Sequence, residues 1–226
     1  IIETLPGYRG MGPVRAGNQA HEHHQHDVYG QIVLPLVQSF FDERLLRPGT
    51  VEDFHALEKV GDRAFAMHDQ PDAGLWEFRT RAAVHTYSAV MCWAACSRLA
   101  NAAEALGLAH RAEVWCERAQ IVHARIEKDA FLPNEGRFGG SFDGEELDAS
   151  LLQLVELGFL SPEDPRQIAT FEAIEKALRR GSYLFRYVEP DDFGRPETAF
   201  NFCTFLYIEA LNLSGRTDEA MELFEA

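Results

Sequence analysis

From Asp27 to the end of the chain, apolar residues recur at helical spacing in one segment after another, and hardly anywhere at the alternating spacing of a strand. That succession limits the fold more than any single motif does. Asp27 is suited to cap a helix bearing Val28, Ile32, Leu34, Leu36, Val37, Phe40 and Phe41, which Arg47-Pro48-Gly49 ends. Thr50 caps the next, with Glu52 and Asp53 in its first turn and Phe54, Leu57, Val60, Ala64, Phe65 and Met67 on its apolar side. The longest segment runs from 85 to 106 and stops at Gly107, and another runs from 110 to 132. A short helix over 151–157, an amphipathic one between 162 and 181, an apolar one over 200–213 and a last one over 219–224 complete a set of eight. Residues 183–188 alternate briefly. The expectation is an all-α fold of antiparallel helix hairpins. No fixed-period identity links the hairpins, which argues against a repeat solenoid.

The connections alternate in character. Those at 5–26, 71–80, 133–146 and 189–198 are long and rich in aromatic, arginine and glutamate residues, whereas the others are short. In an antiparallel series every second loop emerges at the same end. Tyr8, Arg9, Glu77, Arg79, Glu146 and Glu197 are therefore expected around one mouth. Within the second loop, Gly74-Leu75-Trp76-Glu77-Phe78-Arg79-Thr80 sets a carboxylate beside an indole, just before the longest apolar-periodic segment. Apolar surroundings favour the protonated form of a carboxyl, as a general acid requires. The plain alternative is a helix-entry loop with a surface glutamate. For Glu197 the plain alternative is a carboxylate capping the helix that starts near Thr198, and for Asp148 capping is the favoured role.

Other features exclude functions. The glycine spacing of residues 5–18 matches no phosphate loop, and no strand precedes it. The run His21-Glu22-His23-His24-Gln25-His26 lacks the paired-histidine zinc spacing, so it reads as a polar loop, and neither metal nor cofactor is expected. The net charge of −15 makes nucleic acid and anionic membrane poor partners. No run approaches the roughly 18 apolar residues of a membrane span. No secretory leader is visible at the start, which reads like the middle of a longer protein. Cys92, Cys96, Cys116 and Cys203 lie in helical patterns and read as buried free thiols of a reducing, cytoplasmic setting.

Several stretches resemble glycoside hydrolase family 15, the family of glucoamylases, glucodextranases and bacterial trehalases. They are Gly7-Tyr8-Arg9-Gly10 with Pro13-Val14-Arg15 and Gly17-Asn18-Gln19-Ala20, Gln25-His26-Asp27-Val28-Tyr29-Gly30, and Leu75-Trp76-Glu77. Further on, they are His85-Thr86-Tyr87-Ser88, Glu146-Leu147-Asp148-Ala149-Ser150, and Glu197-Thr198-Ala199-Phe200 before Cys203-Thr204-Phe205. The resemblance spans essentially the whole chain. It implies an (α/α)6 toroid-type barrel and inverting hydrolysis of α-glucosidic bonds in an oligo- or disaccharide. The general acid falls on Glu77 and the general base on Glu197, with Tyr8, Arg9, Trp76, Arg79 and Glu146 as substrate-binding residues. Eight helices fall short of the twelve such a barrel needs, and the family's N-terminal β-sandwich and first barrel helices have no counterpart in residues 1–226. The chain is expected to be one part of the catalytic domain, weakly active or inactive alone, and prone to self-association through uncovered barrel faces. Trehalase and glucodextranase activities stand beside the glucoamylase reading. A non-catalytic helical binding scaffold is the alternative of another class.

Overall fold

The computed structural model describes residues 1–10, 12, 14–17, 22–191 and 194–226. Parts of the glycine-rich opening, His21 of the histidine run, and Asp192 and Phe193 of the last long loop lie outside these. The described residues form helices α1 (Asp27–Val37), α2 (Val51–Met67), α3 (Thr86–Ala105), α4 (Ala109–Ala130), α5 (Gln153–Glu156), α6 (Pro165–Leu178), α7 (Asn201–Leu213) and α8 (Thr217–Glu225). Two antiparallel two-stranded hairpins interrupt them: β1 (Phe131–Leu132) with β2 (Arg137–Phe138), and β3 (Arg179–Arg180) with β4 (Tyr183–Leu184). The second hairpin accounts for the start of the alternating piece at 183–188. The first has no sequence signal beyond Gly136 at its turn, where φ is 67°.

Helix α3 is the centre of the core. It is buried on nearly every residue from Thr86 to Cys96 and packs against α1, α2 and α4. A helix apolar all round is one that neighbours surround. Its approach to α1 is close because Gly30 has no side chain, and a Cβ there would lie 2.5 Å from the Met91 carbonyl oxygen. Helix α2 begins with a capping box in which Thr50 Oγ1 accepts from Asp53 N (3.2 Å) and the Asp53 carboxylate accepts from Thr50 N (3.0 Å).

Helix α1 departs from its sequence reading. The cap is His26 and makes no side-chain bond, while Asp27 lies inside the first turn and is buried. The buried face consists of Asp27, Gly30, Val33 and Val37, and the apolar Val28, Ile32 and Leu36 are exposed. The close approach at Gly30 decides which face turns inward, so the second apolar face is left uncovered by this chain. A cavity of about 400 Å³ between α1 and α2, lined by Ile32, Leu36, Phe40, Leu57 and Val60 among others, lies along that edge. At the far edge Phe205, Met221 and Phe224 on α7 and α8 are exposed in the same way. Cys116 also departs from expectation: it is exposed, one position beyond the buried Trp115, whereas Cys92, Cys96 and Cys203 are buried and unpaired. Among the described residues, no helix is long and apolar enough to cross a membrane.

Candidate active site

The loop between α2 and α3 is fixed by its own backbone. Glu77 N donates to Gly74 O (3.2 Å) and Phe78 N donates to Ala73 O (2.9 Å). This pair of bonds closes a six-residue turn over 73–78, with its second residue Gly74 and its fifth residue Glu77 both left-handed. At the fifth position the same pair of bonds ends helices in the Schellman motif, where glycine is favoured. The same pair of bonds closes the chain after α3 at Gly107, after α5 at Gly158 and after α7 at Gly215, with φ of 71°, 74° and 79°. In the Trp76 loop the residue at that fifth position is Glu77, at φ 57°. A residue with a Cβ is strained there, at a cost of about 1–2 kcal/mol. The geometry turns the carboxylate outward, and Glu77 is exposed. The apolar enclosure expected from its neighbour therefore does not form within this chain, because Trp76 faces inward.

Trp76 is half-buried. Its Nε1 donates to Asp148 Oδ2 at 2.7 Å, and its ring lies 6.5 Å from Tyr187 and 6.3 Å from Phe200. Segments from all four long connections meet here. Ala73 N donates to His24 O (2.8 Å), Gln25 Nε2 to Gly74 O (3.1 Å) and His26 N to Asp72 Oδ2 (2.8 Å), which ties the first connection to the second. Thr86 N donates to Gly140 O (3.0 Å) and Phe142 N to Val84 O (2.9 Å), which ties in the third. Phe200, three residues past Glu197, brings in the fourth.

The predicted residues divide accordingly. Glu77 and Trp76 stand at the junction, and Arg79 lies beside it, lining a cavity of about 240 Å³ with His23, His24, Asp72, Phe78 and Arg81. Glu197 is exposed in the segment leading to Phe200 and does not cap α7, whose N-terminal cap is Phe200 without a side-chain bond. Glu146 is half-buried and braces its own loop, with Oε1 accepting from Ser141 Oγ at 2.5 Å. Tyr8 and Arg9 form an exposed turn in which the guanidinium lies 5.2 Å from the Tyr8 ring. Among the described residues no hydrogen bond or ring contact joins that turn to the Trp76 loop.

Three features escaped the sequence. Asp148 caps as expected, with Oδ1 accepting from Ser150 N (2.8 Å), but its other oxygen holds Trp76. Arg186 sits with its guanidinium 5.9, 5.4 and 5.8 Å from the rings of Trp76, Tyr187 and Phe200. Its only signal was an arginine between two aromatics in a piece that reads as a strand. Beneath the loop lies a buried polar group: Asp72 accepts from His26 N and Ser88 Oγ (both 2.8 Å), and Asp27 accepts from Gln31 Nε2 (2.5 Å). Burial, then the charge of Asp72, pushes the Asp27 carboxyl up to about 6. Burial also lowers the pKa of His85, whose ring stacks on Phe78 at 5.6 Å, and raises that of Asp148 against the hydrogen bonds from Ser150 and Trp76. Among the described residues, no group of three or more His, Cys, Asp or Glu could hold a metal ion.

This fold is that of the helical-barrel glycosidases. A solved structure described as a wild-type glycosidase matches 98% of this chain and 59% of its own, with a TM-score of 0.76 at 18% identity. A bacterial glucoamylase complexed with acarbose matches 85% of this chain and 33% of its own, with a TM-score of 0.64 at 16% identity. The sequence comparison is more specific: residues 3–226 match the family model for glycosyl hydrolases family 15, and the chain belongs to that family. Relatives include a trehalase of Thermoplasma volcanium, 34% identical over 226 residues, covering 100% of this chain and 36% of the relative. A trehalase of Mycobacterium tuberculosis is 35% identical over 228 residues, covering 99% of this chain and 33% of the relative. The chain thus spans about a third of the length of these relatives.

Proposed function

We propose that this chain forms part of the catalytic domain of an inverting α-glucosidic hydrolase in which Glu77 is the general acid. The observation that carries the reading is the strained turn. Among the described residues, the turns at Gly107, Gly158 and Gly215 make this pair of bonds with glycine in the left-handed place, and the Trp76 turn spends backbone strain there to present a glutamate. Strain of that kind collects at functional sites. An inverting enzyme needs a protonated carboxyl against the leaving oxygen and a carboxylate on the opposite sugar face, roughly 6.5–9.5 Å away, to activate water. Trp76 offers a flat apolar face for a sugar ring, and Arg79 offers fixed donors for hydroxyls. Glu197 is our choice for the base, because it is exposed and its segment reaches Trp76 through Phe200. The trehalases at 34–35% identity favour trehalose over maltooligosaccharides as substrate. The buried unpaired thiols suit a reducing compartment such as the cytoplasm.

A second reading keeps Glu77 and moves the base beyond this chain. The neighbouring glycosidase was solved with each of two glutamates changed to alanine, one of them in complex with glucose. Those two stand farther apart in sequence than Glu77 and Glu197, and the same separation counted from Glu77 passes residue 226. The test uses the full-length protein with Glu77→Gln and Glu197→Gln, assayed on trehalose, maltose and isomaltose, with the product anomer followed by NMR. Glu77→Gln should lose at least about 100-fold in turnover. Unchanged turnover in Glu77→Gln removes Glu77 from the acid role, whereas absence of turnover of all three sugars by the unmutated full-length protein ends the hydrolase reading and favours a binding scaffold. Loss in Glu77→Gln with full turnover in Glu197→Gln assigns the base to the rest of the protein.

A further inference from the structure

We propose that Asp148 is the positioning residue of this site: through the Trp76 indole it sets the location of the Glu77 carboxyl. The inference rests on the hydrolase reading and adds a residue to it. As a cap alone, Asp148 has no need to be an aspartate, since Asn caps equally well without bringing a carboxylate out of water. Yet Asp148 is only 8% exposed and has no Lys or Arg ion pair among the described residues. Its two oxygens divide the work. Oδ1 accepts from Ser150 N and fixes the start of the 3-10 turn Ala149–Leu152, while Oδ2 accepts from Trp76 Nε1 across 72 residues of sequence. The indole has one donor, so this bond fixes its rotation, with Tyr187 and Phe200 walling its ring. Trp76 directly precedes a residue held in a strained conformation, and such a conformation persists only where its surroundings determine it. Asp148 therefore acts on the acid through one indole and one peptide bond, without touching substrate.

The chemistry supplies a test that general damage cannot imitate. A disaccharide loses an alkoxide-like oxygen that needs a proton, whereas α-glucosyl fluoride releases fluoride and needs little acid help. In the full-length protein, Asp148→Asn can still accept from Ser150 N, but it then presents an NH₂ group to the indole N–H, donor against donor. We expect kcat on the disaccharide to fall about 10- to 100-fold, the cost of a displaced catalytic group. KM should stay within about threefold, and turnover of α-glucosyl fluoride should change by no more than about threefold. Trp76→Phe removes the donor from the other side, so adding Asp148→Asn to a Trp76→Phe protein should cost no further disaccharide turnover. Full disaccharide turnover in Asp148→Asn, equal loss on both substrates, or additive losses in the double variant would each overturn the proposal. Should Asp148→Asn fail to fold, Asp148→Ser, which keeps a cap acceptor for Ser150 N and drops the acceptor for Trp76 Nε1, decides the matter by the same criteria. Glu77→Gln in parallel keeps the two questions apart: its loss of disaccharide turnover upholds the hydrolase reading whatever Asp148→Asn does.

Discussion

Replacing Glu77 by glycine should make the protein more stable while removing its activity. At φ 57° the Cβ of Glu77 crowds the following carbonyl, at a cost of about 1–2 kcal/mol. Glycine relieves that cost but adds about 0.4–1 kcal/mol through the larger conformational freedom of its unfolded chain. The Glu77 side chain is exposed, so little packing is lost with it. The balance is a gain of about 0.5–1 kcal/mol, at most about 2 °C in melting temperature for a catalytic domain larger than this chain. Glu77→Ala is the control, because it removes the carboxylate and keeps the Cβ, and it should melt near the wild type. Scanning calorimetry of the three full-length proteins, side by side, measures the differences. A Glu77→Gly protein no more stable than Glu77→Ala would mean that the turn is not strained, and the main support for a functional Glu77 would go with it.

Two further expectations concern pH. Asp27 is buried and its carboxyl is raised to about 6 by burial and by the charge of Asp72, so its ionised form opposes folding. Its contribution to stability is full below the unfolded value near pH 4 and is lost as pH rises through 6. Asp27→Asn should therefore match the wild type at pH 4 and exceed it by about 1–3 kcal/mol at pH 8, as urea unfolding at the two pH values would measure. Equal differences at both pH values would refute this. Glu175 has the opposite sign. Hydrogen bonds from Arg216 (2.9 and 3.0 Å), outweighing burial and joined by those from Tyr207 and Arg179, hold its carboxyl down to about 2. That stability is present above pH 4.5 and is lost as pH falls toward 2. Glu175→Gln should lower the melting temperature at pH 7, with the gap closing on acidification, and a gap independent of pH would count against the network linking α6, α7 and α8.

The helices were legible because each shows its own period and punctuation. Thr50 before α2 and Gly107 after α3 are local signals, and the structure uses each of them where it stands. Which face of α1 turns inward was not local. Val28, Ile32 and Leu36 are as apolar as Val33 and Val37, and the choice between them lies in the contact of Gly30 with Met91, 61 residues away. The candidate site divides along the same line. An aromatic and an acid together in a loop before a buried helix can be seen in sequence, so Trp76 and Glu77 could be singled out there. Asp148 was seen only as a cap, since its second bond spans 72 residues. Arg186 was hidden because its aromatic surroundings come from three separate stretches of chain.

The most informative property of Glu77 cannot be read from residue types at all. In sequence, Gly74-Leu75-Trp76-Glu77 offers its glycine at the wrong position to supply the left-handed residue of the turn that forms. Gly74 is itself at φ 65° and has no room for a Cβ, which would lie 2.7 Å from the His85 ring, so glycine is already committed there to close packing. The turn must then take its second left-handed residue from a side chain that tolerates it poorly. At Gly107, Gly158 and Gly215 the same pair of hydrogen bonds is made without strain. The loop thus accepts a backbone cost at one residue in order to aim that residue outward, beside an indole fixed from behind. A turn whose only task was to connect α2 to α3 would gain from glycine at position 77, and on the reading we propose the glutamate stands there for the carboxyl group it presents.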